Sequence, residues 1–102
     1  MKKKYSITAV IEDRRGNILS IGNNSYVKTH PMQARYAAMA GEPHKIYLHA
    51  EIAAILKCKD IEKAYKLTVY RYLEDGTPAP ACPCRTCKQA IAKTPIKVVE
   101  HT

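Results

Sequence analysis

Residues 49–59 read His49-Ala50-Glu51-Ile52-Ala53-Ala54-Ile55-Leu56-Lys57-Cys58-Lys59, and this stretch decides the fold. Apolar and small side chains fall on nearly every side of it, and a helix apolar all round is a buried one. The sequence therefore predicts a central buried helix from about His49 to Lys59. Its start carries an imidazole and a carboxylate two positions apart. Such a pair diverges in mid-helix, but in the first turn both can be aimed into one pocket.

Working outward, Tyr5-Ile7-Ala9-Ile11 alternates with polar or small neighbours, as a half-buried strand does. Arg14-Arg15-Gly16-Asn17 is turn chemistry, and Ile18-Leu19-Ser20-Ile21 returns as the second strand of a hairpin. Gly22-Asn23-Asn24-Ser25 ends that strand with residues that favour irregular backbone. Thr29-His30-Pro31 can start a helix over Met32 to Met39, closed by Gly41 and Pro43. Beyond the central helix, Leu67 to Leu73 reads as a strand rich in residues that pack on a pleated surface. Glu74 to Pro83 is then a loop, Cys84 to Lys93 a short helix, and Ile96 to Val99 the last strand. Crossover helices between strands imply an α/β class with a largely parallel sheet.

The 102 residues are expected to form one domain, 1–102, with one modest core. No stretch approaches the ~18 apolar residues of a membrane span, so no membrane partner is expected. Met1-Lys2-Lys3-Lys4 has the charge of a signal peptide but runs straight into Tyr5-Ser6-Ile7-Thr8 instead of an apolar core. A cytoplasmic protein is the expectation. Lysine and arginine exceed aspartate and glutamate by 17 to 9, a formal +8. A basic balance steers phosphate-bearing ligands toward the surface. A nucleic-acid partner stays open but is not favoured, because a polynucleotide track needs charge aligned with stacking aromatics.

Three of the four cysteines, Cys82, Cys84 and Cys87, crowd into six residues, with Cys58 apart from them. That crowding suits metal binding in a reducing compartment better than two disulfides. Cys84 and Cys87 are three apart, on one face of a helical turn, with Pro83 ahead of them. The positive end of that helix favours thiolate, the ligand form. Together with His49 they supply three zinc ligands. A zinc ion with an open position binds water and does chemistry, whereas a closed four-ligand site only holds a fold together. Two other readings remain at this point: a closed structural site with Cys82 as fourth ligand, and a redox Cys-x-x-Cys pair.

The conjunction of His49-Ala50-Glu51 with Pro83-Cys84-Arg85-Thr86-Cys87 resembles the signature of the zinc-dependent cytidine and deoxycytidylate deaminase superfamily, H-x-E followed by P-C-x-x-C. The order of strands and helices also looks like that family's core, over nearly the whole chain. The resemblance implies a three-layer α/β/α fold around a mixed sheet of about four strands, lacking the usual fifth strand. It implies Zn2+ held by His49, Cys84 and Cys87, water in the fourth place, and Glu51 as the catalytic acid and base. The substrate would be a cytosine nucleoside or nucleotide, cytidine or deoxycytidylate, converted to the uracil form with release of ammonia. The alternatives are a deaminase of cytosine or adenosine in single-stranded DNA or RNA, and a non-catalytic zinc-stapled module that binds nucleic acid.

Gly22-Asn23-Asn24 resembles the Gly-x-Asn that follows the second strand in two branches of the superfamily, which implies a substrate contact at Asn24; a plain turn is the competing reading. Ala50 and the backbone carbonyl of Cys82 would face the substrate. His30 would line the same mouth unless it serves the start of its helix. Cys58 reads as an ordinary buried thiol. With no strand after the fourth, a sheet edge would be left unpaired, so a homo-oligomer is expected to cover it.

Overall fold

The computed structural model describes residues 6–24, 30–41, 49–73, 75–81 and 83–102. Two strands form the hairpin, β1 (Ser6–Glu12) and β2 (Ile18–Asn23). Two helices follow, α1 (Pro31–Met39) and α2 (Ala50–Lys57). A 3-10 turn over Ile61–Lys63 leads into β3 (Lys66–Tyr72), and α3 (Arg85–Ala92) leads into β4 (Val98–His101).

The sheet order is β2-β1-β3-β4. β1 is antiparallel to both β2 and β3, and only β3 and β4 pair in parallel. The sheet is thus mixed, which corrects the largely parallel sheet inferred from the crossovers. The crossovers do fix direction: β2, β3 and β4 all run the same way. Adjacency is what they leave open, because β1 inserts between β2 and β3. Alternation then gives each strand an inner face, with Ala9, Ile11, Ser20, Gly22, Leu67 and Val69 all buried.

That face packs on Ala50 and Ala54 of α2 and on Ile91 of α3. The opposite stripe of α2, at Ile52, closes on Cys87 and Ala90 of α3, with Met32 and Tyr36 of α1 against them. Among the described residues the helices therefore gather on one side of the sheet, with α1 packed chiefly on α3. The other face carries Thr8, Val10, Thr68 and Tyr70, all half-buried. No described helix is long and apolar enough to cross a membrane.

Element ends follow local chemistry. His30 is the N-cap of α1: its Nδ1 accepts the Met32 N–H at 3.0 Å, and Pro31 opens the helix. Gly41 follows the last turn with φ 74°, a left-handed stop that suits glycine. Pro43 lies outside the described residues. β4 begins two residues later than the sequence suggests. Thr94 Oγ1 donates to Ile91 O at 2.6 Å and accepts the Ile96 N–H at 3.3 Å, so this stretch finishes α3 before any strand can start.

Candidate metal centre

α2 and α3 meet with their N-termini together. His49 is the N-cap of α2 and Cys84 the N-cap of α3, both in extended backbone, and neither side chain caps its own helix. Released from capping, the two side chains turn toward each other. His49 Nδ1 lies 3.3 Å from Cys87 Sγ and 3.6 Å from Cys84 Sγ. The three donor atoms all fall within 4.8 Å of one another.

These distances test the fit of a metal. A tetrahedral zinc about 2.1 Å from nitrogen and about 2.3 Å from sulfur places those two ligands about 3.6 Å apart. The observed separations match, and one imidazole with two thiols is a zinc donor set. His49, Cys84 and Cys87 therefore fit Zn2+. The fourth corner is not filled by Cys58, which belongs to the sheet-side core beside Ala54 and Leu67. Cys82 lies outside the described residues.

Without metal, the two thiols are unequal. The Cys87 thiol hydrogen-bonds to Cys84 and holds its sulfur well below the usual thiol range, with the His49 ring acting in the same direction. Cys87 is pushed up, by its bond to Cys84, by burial and by the nearby Glu51. A divalent cation bound here would favour the thiolate form of both. Both helix N-termini point their positive ends here, which favours the same outcome.

Glu51 stands in the first turn of α2 and is only 6% exposed. Burial pushes its carboxyl up, opposed by a hydrogen bond with Cys87 and by the charge of His49. The carboxyl thus sits against the ligand cluster, in surroundings that favour gaining a proton. Ala50, between the two, is fully buried and packs against the sheet.

The position of α2 depends on Gly22. A Cβ at Gly22 would stand 2.3 Å from Ala54 N and 2.5 Å from Ala50 O. No side chain fits, so β2 can press directly on the first turn of α2. Ser20, two residues back on the same buried face, donates its hydroxyl to Ala54 O at 2.7 Å. The glycine of the Gly-x-Asn stretch is thus there for close strand–helix approach.

The asparagine has a backbone task as well. Asn24 Oδ1 accepts the Ile7 N–H at 3.0 Å, and Asn24 N donates to Ile7 O at 3.1 Å, extending the hairpin ladder by one pair. His30 is used as a helix cap, the reading set against a substrate-facing role.

One residue escaped the sequence reading. Gln33 in α1 is fully buried, and its Oε1 accepts the His49 N–H at 3.2 Å. It ties α1 to the backbone of a metal ligand. Its signal was a long polar side chain four residues before Ala37, on the buried stripe of α1. No curated protein matches the chain significantly. A family model does, that of the cytidine and deoxycytidylate deaminase zinc-binding region, over residues 1–101, and the chain belongs to that family.

Proposed function

We propose that the protein hydrolytically deaminates a cytosine nucleoside or nucleotide, cytidine or deoxycytidylate, releasing ammonia. The observation that carries this reading is the convergence of His49, Cys84 and Cys87 with Glu51 buried beside them. Zinc, when bound, acidifies a water and makes it a nucleophile near neutral pH. His49, Cys84 and Cys87 would hold the metal that supplies this water. Glu51 takes one proton from the water as it attacks C4 and passes it to N3. It then takes the second from the new C4 hydroxyl and passes it to the departing amine. A C–O bond forms, the C–N bond breaks, and the uracil form is left. Glu51 and Cys87 are themselves buried, which limits the access of bulk water to those protons.

Two zinc-bound thiolates and a neutral imidazole make a site of zero formal charge. Such a site acidifies its water less than three histidines would, so the adjacent base matters more. Glu51→Gln tests this. Zinc content is expected to stay at the parent level while ammonia release from cytidine and deoxycytidylate falls about 10²–10⁴-fold, the usual worth of a general acid–base group. Unchanged turnover would leave a zinc staple as the better reading. Assaying the free nucleosides, their monophosphates and a short oligonucleotide side by side sorts the substrate class.

The same reading takes the protein to be a cytoplasmic homo-oligomer. Among the described residues β4 pairs with β3 alone, an edge that a second subunit could cover. Light scattering that finds a monomer at micromolar concentration would remove that element.

A further inference from the structure

At the end of the sheet away from the metal centre lies a cleft of about 310 Å³, at the lower limit of small-molecule sites. Four cations line it: Arg14 and Arg15 from the β1–β2 turn, Lys63 from the 3-10 turn, and Lys97 ahead of β4. Two carboxylates, Asp13 and Glu62, also line it. Asp13 is turned inward on its own turn. Its Oδ1 accepts the N–H groups of Arg15 and Asn17, at 2.8 and 2.9 Å, and its Oδ2 accepts from Asn17 Nδ2 at 3.1 Å. Among the described residues, no carboxylate oxygen lies within 4.0 Å of the four cations.

The cleft is built from distant parts of the chain, and Tyr65 joins them. Its N–H donates to Glu12 O at 2.9 Å, and its carbonyl accepts the Lys97 and Val98 N–H groups at 2.9 and 3.1 Å. Its ring underlies the Arg14 guanidinium, 5.0 Å from the centroid. Gly16, with φ 82°, closes the turn that presents both arginines. The backbone segments that carry the cations are therefore fixed relative to one another, and the Arg14 guanidinium is held on the Tyr65 ring, so part of the site is preorganised before any ligand arrives.

We propose that this cleft is a phosphate-binding site, taking the phosphates of a nucleotide or the backbone of a single-stranded nucleic acid. Planar guanidinium groups match phosphate oxygens in pairs, and the two lysines add point charges. The site is independent of the metal centre, so its test reads binding and not turnover.

The test titrates full-length protein with inorganic pyrophosphate by calorimetry and with a labelled single-stranded 12-mer by fluorescence anisotropy, across salt concentrations. Binding in either arm is expected, and which arm binds identifies the source of the phosphate. In the binding arm, Arg14→Gln with Lys97→Gln is expected to weaken affinity at least about tenfold. In the oligonucleotide arm, the slope of log K against log salt should shrink by about 1.4 for this pair and about 0.7 for Lys63→Gln, the single-strand value per phosphate contact. Arg35→Gln with Lys88→Gln removes the same charge from exposed positions on α1 and α3 and should change affinity by less than about twofold. Lys63→Gln leaves the Arg14–Tyr65 stack intact, so it carries the test if the double variant melts early. No binding in either arm would overturn the proposal, as would an equal loss in the Arg35/Lys88 control.

Discussion

At one end of the sheet Cys87 is fully buried and Glu51 nearly so, while at the other Arg14, Arg15, Lys63 and Lys97 are all exposed. The buried end is made by helices, whose N-termini converge and release their capping side chains to face one another. The exposed end is made by turns, which hold cations at the rim of a cleft. The first end gathers donor atoms where water is scarce, so electrostatic interactions there are strong and barely screened. The second works in high dielectric, where salt weakens every contact. One small sheet thus supports two kinds of chemistry, separated by its own length.

Four substitutions sharpen or break this contrast. The largest effect is expected from Cys87→Ser, which removes a fully buried ligand. Zinc affinity, measured by competition with a chelator, should fall by more than the ~10–100-fold that loss of a supporting group costs. A variant that keeps zinc would show that the ion does not use this sulfur. Gly22→Ala comes next, because its Cβ would meet the backbone of α2. Destabilisation of about 3 kcal/mol is expected in urea unfolding, the upper range for overpacking. An unfolding midpoint equal to the parent's would mean that β2 and α2 can part without cost.

Gln33→Leu keeps the bulk but leaves the His49 N–H without that acceptor. We expect zinc affinity to fall about tenfold, with the d–d spectrum of the cobalt-substituted protein altered. An unchanged spectrum would make Gln33 a packing residue only. Asp13→Ala should have the smallest effect, and it acts at the other end. The bond to the Asn17 side chain, with the turn N–H groups of Asn17 and Arg15, holds the Asp13 carboxyl below its ordinary value of 3.8. Its contribution is therefore present above pH 3.8 and lost as pH falls through the depressed value. A small drop in melting temperature at pH 7 should shrink at pH 3; a drop equal at both would show that the carboxylate charge is not involved.

Much of the fold could be read from periodicity alone. The alternation of Ile7, Ala9 and Ile11, the apolar run from Ala50 to Leu56 and the turn chemistry at Arg14–Asn17 each fall where the structure has a strand, helix or turn. The 3-10 turn over Ile61–Lys63 was missed, because three residues carry no period. The start of β4 was misplaced, because Ile96 looks like a strand residue yet packs on the core from a loop held by Thr94.

The kinds of donor atoms could be read from residue identity. The sequence also suggested helix starts for them, with Pro83 ahead of Cys84 and Cys87 and an apolar run behind His49; the structure then placed His49 and Cys84 as N-caps. Three-dimensional packing alone supplied the rest. It set β1 between β2 and β3, brought Gln33 to the His49 backbone and gathered Arg14, Lys63 and Lys97 around Tyr65. The physical reason is range: propensity and periodicity act over a few neighbours along the chain, whereas these contacts join segments that meet only after the helices have packed on the sheet.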